Sequence, residues 1–469
     1  RELADGLDSA GVATRRRFLM QSNGGVMPLA AAGEGTGVAH TLLSGPAAGV
    51  QGCAHLIGSG QGVETLVTLD MGGTSCDIAF IEDGRALEAT QGRIAERDVH
   101  LPMLDVNTIS AGGGTIARVD AARQPVVGPD SAGADPGPAC YGGGGTEPTV
   151  TDADLLCGYL NPDHFLGGRQ RLDRNAAAAA IERAVAKPMG LVAATAALGI
   201  VRLINGRMAD EIRVLAAKKA VDLRGFTLVP FGGAGPVHAA MVAAELGIVR
   251  VLVPPHPGAF SALGLLCSDV LHDYVRSALG AFEAMPPEEV EARFAELEVR
   301  ARTDLTAEGF DADGADFERE LDLRYAGQGY ELRTKLTGPG TRPVTDDGLA
   351  RLRARFDDLH EAYHGHAARD AQVETVSYRL RARMEVAKVE PVRVDPRDDP
   401  EPAPTAIRSA MFEDGMAHET PIHDRSALSA GHALQGPAIV EQFDTTTVVP
   451  PGWRVSVDAY ANLMIERED

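Results

Sequence analysis

Apolar runs in this chain repeatedly end in clustered glycine, at Gly24-Gly25, Gly72-Gly73, Gly112-Gly113-Gly114, 142–145 and Gly232-Gly233-Ala234-Gly235. Apolar run, glycine turn and helix in succession describe a strand that ends at a tight bend before a covering helix. Repetition of that unit predicts an α/β fold with its ligand at the strand ends. The sharpest case reads Val67-Thr-Leu-Asp70-Met-Gly72-Gly73-Thr74-Ser75-Cys76-Asp77. Glycine lacks Cβ and tolerates positive φ, so its backbone N–H can approach an anion such as a phosphate. Thr74 and Ser75 can add hydroxyl donors. Asp70 and Asp77 are suited to hold a hydrated Mg²⁺ or to orient a water. A ligand-free alternative fits the same residues: a strand, a Gly-Gly turn and a second strand over 78–81.

The chain has 469 residues, too many for a single core, so two or three domains are expected. Its net charge of −22 argues against nonspecific binding to nucleic acid or anionic membranes. Phosphate binding through backbone N–H groups is compatible with that charge. Cys53, Cys76, Cys140, Cys157 and Cys267 are widely spaced, form no CxxC pair and suggest neither a zinc ribbon nor a disulfide framework. A reducing, cytoplasmic setting is expected. No stretch is apolar and long enough to span a bilayer as a helix. The opening Arg1-Glu-Leu-Ala-Asp-Gly has no apolar run and does not read as a signal peptide. Arg15-Arg16-Arg17 resembles a twin arginine, but the short apolar stretch behind it reads as a strand. The first residue is not Met, which fits a fragment, a processed product or one subunit of a split protein.

Residues 17–21 are expected as a strand, and Pro46 suits the first turn of a helix over 47–57. Residues 99–168 are Gly/Pro-rich and lack regular periodicity, predicting a long functional loop that carries Gly113, Asp135 and Cys140-Tyr141. Asp152 and Asp154 tempt one to see a metal pair; Thr151 as N-cap with acids in the first turn is the preferred reading. Helices are predicted at 173–186 and 189–221, separated by Pro188. The second carries Leu198, Val201, Ile204, Met208, Ile212 and Leu215 near helical spacing. A strand at 226–231 runs into the Gly232–Gly235 turn and a helix to about Leu246, and another strand follows at 249–253.

The expected domains are an α/β core over 1–270, an α+β module over 271–388, a linker over 389–405 and a small β module over 406–469. The α+β module contains a charged amphipathic helix at 287–308, strands at 318–325 and 330–336, a helix at 346–364 and a strand at 373–386. The linker is rich in Pro, Asp and Glu.

Gly232, Gly233 and Gly235 precede a helix, so N–H groups and a helix N-terminus would face a phosphate or the edge of a purine. Neither a GxGxxG fingerprint nor a GxxxxGK[ST] loop is present there. Two Gly-Gly turns after strands, at Asp70 and at Phe231, suit a nucleotide site split between two lobes. His238 reads equally as a packed histidine or as a substrate or metal contact. Cys140 reads first as a buried small hydrophobe and second as a ligand or nucleophile, with no adjacent motif to activate it. His360, His364 and His366 lie near a helix C-terminus and favourably meet its dipole, which is preferred over a metal site.

Several long motifs resemble the hydantoinase A / 5-oxoprolinase family. They are Leu42-Leu-Ser-Gly-Pro-Ala-Ala-Gly-Val50, Leu69–Asp77, Ser131-Ala-Gly-Ala-Asp-Pro-Gly-Pro-Ala-Cys-Tyr141, Phe231-Gly-Gly-Ala-Gly-Pro-Val-His238, Gly327-Gln-Gly-Tyr-Glu331 and 445–453. The resemblance implies an actin/sugar-kinase/Hsp70-type ATPase with ribonuclease-H-like lobes, using ATP and Mg²⁺. It implies ring opening of a lactam or cyclic imide after phosphorylation of a carbonyl oxygen, or alternatively carboxylation of a ketone by an acetone- or acetophenone-type carboxylase. Asp70, Gly72, Gly73, Thr74 and Asp77 map to the second phosphate loop, with Asp70 and Asp77 catalytic and Asp70 holding Mg²⁺ through water. Ser75 adds a donor, and Gly232, Gly233 and Gly235 map to the adenosine loop. Gly113, Asp135, Cys140 and His238 are candidate substrate contacts.

A hydantoinase B-type subunit is the expected partner. The family pattern has a further Asp-x-Gly-Gly-Thr loop in a first lobe, and this chain has one such loop. The first lobe is therefore expected on another polypeptide or in a longer chain, and this chain alone is not expected to be a competent ATPase. A non-catalytic assembly subunit that keeps the fold is the alternative from another class.

Overall fold

The apolar run before Asp70 forms the strand Leu66–Met71, buried at every position except Asp70. Burial on both faces explains why its sequence is nearly continuous in apolar residues rather than alternating. It pairs antiparallel with Cys76–Glu82 and parallel with Thr227–Phe231, which pairs parallel with Arg250–Val253. These strands lie inside a nine-stranded sheet. Val106–Ile109 closes one edge, and Leu463–Arg467, Trp453–Val457 and Ala433–Gln435 extend the other.

The computed structural model describes residues 2–14, 16–33, 37–89, 92–94, 97–99, 101–396 and 402–468. Two compact units divide the chain: a larger one of residues 22–24, 43–267 and 388–469, and a smaller one of residues 1–21, 25–42 and 268–387. These bounds differ from the expected ones at both ends of the chain. Residues 1–21 and 25–42 group with 268–387, because Val26–Pro28 pairs with Val270–Ala281. Residues 406–469, expected as a separate module, belong to the larger unit, where three of their strands continue the nine-stranded sheet. Their remaining strands, Ala406–Met411, Ala417–Asp424, Ala438–Glu441 and Thr446–Val449, form a four-stranded sheet of the same unit. Part of the expected linker, residues 397–401, lies outside the described residues. Within its described part the backbone of Val394 donates to Ala459.

In the larger unit, helix Ala193–Lys219 buries Leu198, Val201, Ile204, Met208, Ile212 and Leu215, the stripe its spacing predicts. Asn205 is buried on the same helix. The predicted break at Pro188 falls two residues later. Pro188 sits inside the short helix Lys187–Met189, where its missing N–H is tolerated, and Gly190 ends that helix at φ +69°. Residues 99–168 contain more regular structure than expected: strands Met103–Leu104, Val106–Ile109, Thr115–Val119 and Pro125–Ser131, and helix Val150–Cys157. Glycine and proline hid them by shortening each run below the length at which alternation is legible. No single helix among the described residues is long and apolar enough to cross a membrane.

The smaller unit is a six-stranded sheet in the order Phe18–Met20, Val26–Pro28, Val270–Ala281, Val373–Met384, Asp316–Tyr325, Leu332–Lys335. Helices Pro287–Ala307 and Asp346–His364 accompany it, with Val290, Phe294, Leu297, Ala301 and Leu305 buried on the first and Leu349, Leu352 and Phe356 on the second. His360 is buried there, its Nδ1 2.7 Å from the carbonyl of His366.

Candidate functional site

Strands Leu66–Met71 and Thr227–Phe231 are parallel neighbours with Asp70 opposite Phe231. Their glycine turns therefore leave the same edge of one sheet, side by side. The expected division of these two turns between lobes is replaced by adjacency within one unit. Gly232 adopts φ +75°, and a Cβ there would lie 2.5 Å from the Met71 carbonyl and 2.6 Å from Asp70 Oδ1. Glycine alone fits that contact. Ala234 N–H donates to the same Met71 carbonyl at 3.0 Å, locking one turn onto the other.

The turn after Asp70 closes with Gly72 N–H donating to Ser75 O at 3.1 Å. A third glycine segment lies against it: Gly113 N–H donates to Gly72 O at 3.0 Å and Gly114 N–H to Gly73 O at 2.6 Å. A Cβ on Gly112 would sit 2.6 Å from the Gly73 carbonyl carbon, which accounts for the glycine run at 112–114. The carbonyls of the Asp70 turn are thus occupied. The N–H groups of Gly73, Thr74 and Gly233 find no partner among the described residues. That polarity, with acceptors used and donors open, suits an anion.

Asp70 and Asp77 face each other directly across the antiparallel pair. Ser261 Oγ donates to Asp70 Oδ2 at 3.2 Å, and Thr108 Oγ1 donates to Asp77 Oδ1. Burial pushes the Asp70 carboxyl from its ordinary 3.8 up to about 6, the Asp77 charge adds to the rise, and the Ser261 hydroxyl opposes it. Burial also raises Asp77, against the Thr108 hydrogen bond. Two partly buried carboxylates with only hydroxyl partners can accept a hydrated divalent cation or a proton. Among the described residues no cluster of three or more His, Cys, Asp or Glu is placed to cage a metal.

A cavity of about 170 Å³ opens beside these turns, with Gly72, Gly73, Gly113, Gly233 and Ala234 on its wall. Tyr141, Phe165, Leu166 and Phe443 give it aromatic and apolar faces, and Thr151, Asp154 and Gln442 add polar groups. Tyr141 and Phe165 pack with ring centroids 5.5 Å apart. The Arg169 guanidinium lies 4.8 Å from the Phe443 ring centroid.

The remaining sequence candidates separate. Gly113 lines the cavity, and its carbonyl accepts from both the N–H and the hydroxyl of Thr151. Asp135 is exposed and lies outside the cavity lining. Cys140 is fully buried, and burial beside Asp152 pushes its thiol well up, which disfavours the thiolate. His238 is buried on helix Gly235–Leu246, with Nδ1 2.9 Å from Asn205 Oδ1 and Nε2 3.4 Å from Asp154 Oδ2. The expected N-cap Thr151 is corrected to Thr149, whose side chain and Asp152 form a reciprocal capping box on helix Val150–Cys157. Asp152 also accepts from the N–H groups of Ala139 and Cys140, so its role is to hold the preceding loop. Sequence reading missed Thr108, Ser261 and the pairing of Asp154 with His238, because only tertiary packing brings these distant residues together. The Thr149-x-x-Asp152 spacing was visible and could have placed the cap.

Comparison with known proteins places the chain in a family. Residues 1–274 match the model of the hydantoinase/oxoprolinase family, and residues 281–467 match that of the hydantoinase/oxoprolinase C-terminal domain. Caprolactamase subunit alpha of Pseudomonas jessenii is 34% identical over 448 residues, 94% of this chain and 63% of that protein. The acetophenone carboxylase gamma subunit of Aromatoleum aromaticum is 34% identical over 92% of this chain and 60% of its own length. The chain thus spans less than two thirds of these relatives. The crystal structure of an ATP-dependent caprolactamase from Pseudomonas jessenii superposes with TM-score 0.83 at 32% identity, covering 100% of this chain and 68% of that one. The chain is a member of the hydantoinase/oxoprolinase family.

Proposed function

We propose that the larger unit is an actin-like ATPase lobe, and that the chain is the nucleotide-handling part of an ATP-dependent enzyme that opens a cyclic amide. One observation carries this reading: two glycine turns on neighbouring parallel strands carry the N–H groups of Gly73, Thr74 and Gly233, unpartnered among the described residues, and Gly73 and Gly233 line one cavity. That pattern fits a polyphosphate, and the Gly232 contact with Asp70 ties phosphate grip and carboxylate together.

ATP, when bound, supplies a phosphoryl group that converts an amide carbonyl oxygen into a leaving group. The chain's own residues bind, orient and handle protons. Gly73, Thr74 and Gly233 would hold phosphate oxygens through N–H groups, and Ser75 is placed in the same turn. Asp70 and Asp77 would hold a hydrated Mg²⁺, which neutralises phosphate charge. Burial raises the Asp70 carboxyl, so with no cation bound it is disposed to take up a proton.

The likeness to the acetophenone carboxylase subunit supports a second reading, in which the same ATP site drives carboxylation of a ketone. A hydantoinase B-type subunit completes the assembly in either reading, and the cytoplasm is the proposed compartment.

The test is stoichiometric. The chain, purified with the products of its neighbouring genes, is assayed for phosphate release with a panel of lactams, hydantoins and 5-oxoproline, and separately with ketones and bicarbonate. Lactam-dependent ATP hydrolysis supports the first reading, and ketone-dependent hydrolysis the second. ATP hydrolysis absent from every combination contradicts both.

A further inference from the structure

We propose that Asp154 is a specificity-determining residue that accepts a hydrogen bond from a sugar hydroxyl of the nucleotide, and that His238 and Asn205 are positioning residues behind it. This rests on the ATP reading above and adds what the site selects.

Asp154 lies on helix Val150–Cys157 and is 2% exposed. Its Oδ2 faces His238 Nε2 at 3.4 Å, while its Oδ1 is buried without a partner among the described residues. A buried carboxylate oxygen without a donor is unfavourable and marks a site that something else completes. Asp152, two residues earlier and about 200° around the helix, gives the contrast. Thr149, Ala139 and Cys140 supply it with donors from both backbone and hydroxyl. Asp152 therefore serves the fold, and Asp154 is left to the cavity it lines.

Its position along the site fits a ribose. Thr151 lies one turn before Asp154 on the same helix face, about 5 Å along the axis. The Thr151 hydroxyl donates to Gly113 O, and Gly113 N–H donates to Gly72 O at the rim of the phosphate turn. The carboxylate thus stands one helical turn beyond Thr151, which meets the phosphate turn through Gly113.

Gln442 makes the same demand at the cavity wall. Its Nε2 donates to Pro255 O at 3.3 Å and to Asp444 Oδ1 at 2.6 Å, which fixes the amide orientation. Its Oε1 is then buried and unpartnered among the described residues. Two open acceptors beside aromatic walls call for a ligand with several donors, an apolar face and an anionic end. A nucleoside phosphate has all three. A lactam offers one N–H, and its carbonyl would meet another acceptor. A carboxylate accepting from a ribose hydroxyl is also a general device of nucleotide sites.

His238 and Asn205 stand behind Asp154. Asn205 Nδ2 points to Met241 Sδ at 3.6 Å, leaving Oδ1 to accept from His238 Nδ1–H. The imidazole thus sits with Nε2 3.4 Å from Asp154 Oδ2, and Nε2, like Asp154 Oδ1, is buried without a hydrogen-bond partner among the described residues.

The experiment measures binding of ATP, 2′-deoxy-ATP and 3′-deoxy-ATP by calorimetry to the full chain in its native complex. The unaltered protein is expected to bind at least one deoxy analogue roughly tenfold or more weakly than ATP. Asp154→Ala is expected to weaken ATP to a similar extent and to bind all three alike, and His238→Ala to lower the ATP/deoxy-ATP ratio. Equal binding of the three nucleotides by the unaltered protein overturns the proposal and leaves the ATP reading standing. A ratio unchanged in Asp154→Ala also overturns it. Absence of binding by all three nucleotides overturns the ATP reading along with it. The unaltered protein alone decides the first comparison, so a variant that fails to fold does not protect the idea.

Discussion

Asp273 and Arg381 in the smaller unit, and Asp70 and Asp77 in the larger, occupy the same geometry: each pair sits directly opposite across an antiparallel ladder. In the first the charges are opposite, and Arg381 Nε meets Asp273 Oδ1 at 2.9 Å with both side chains 12% exposed. In the second they are alike, and hydroxyls alone offset their burial. Opposite charges across a ladder stabilise it, and like charges directly opposite destabilise it. The smaller unit also pairs Arg379 with Asp322 diagonally between strands, and Arg319 with Glu291 and Glu298 of helix Pro287–Ala307. A sheet that only needs to stand pairs its charges. The sheet edge at Asp70 withholds the cation, and the missing countercharge is what a metal ion or a transferred proton would provide.

The contrast is broken or sharpened by substitution. The largest effect is on turnover: Asp70→Asn is expected to lower ATP-driven activity of the native complex by about 10²–10⁴-fold, measured as phosphate release, and unchanged activity would remove Asp70 from the chemistry. Stability should move the other way. The folded-state pKa of Asp70 is raised, so its protonated form is the one folding favours; that contribution is complete below pH 3.8 and is lost as pH rises through about 6. Above pH 6, Asp70→Asn is therefore expected to be more stable than the unaltered protein, by at most about 3 kcal/mol, with the gap closing toward pH 4. Denaturant titrations at several pH values check this, and a variant less stable at pH 7 contradicts it.

Gly232→Ala strains a left-handed residue and drives a methyl toward the Met71 carbonyl and Asp70, so a loss of about 2 kcal/mol is expected in chemical denaturation. The smallest effect belongs to the pair in the smaller unit. Asp273→Asn removes a favourable charge and is expected to cost about 1 kcal/mol, the opposite sign to the same change at Asp70. Equal signs at the two positions would erase the distinction between them.

The sequence made one half of this contrast easy to read. The strand Leu66–Met71 and its Gly72-Gly73 turn were legible because a doubly buried strand is continuously apolar and glycine marks its bend. Helix Ala193–Lys219 was legible from its stripe. The position of the second glycine turn was not, because parallel pairing of Leu66–Met71 with Thr227–Phe231 joins segments far apart in the chain. The same reason hid Ser261 on Asp70 and Asp154 behind His238. Residues 406–469 looked like a module of their own because short β-runs carry no mark of which sheet they complete; only strand pairing assigns Leu463–Arg467 to Arg250–Val253. Cys140 drew attention by its setting, and burial explains why that setting is structural.

The central claim is that the Asp70 turn grips phosphate. A crystal structure of the native complex with a non-hydrolysable ATP analogue and Mg²⁺ tests it most directly. The account predicts phosphate oxygens within about 3.2 Å of the N–H groups of Gly73 and Thr74, with the metal's water shell on Asp70. A nucleotide bound elsewhere, with those N–H groups facing only solvent, would contradict it.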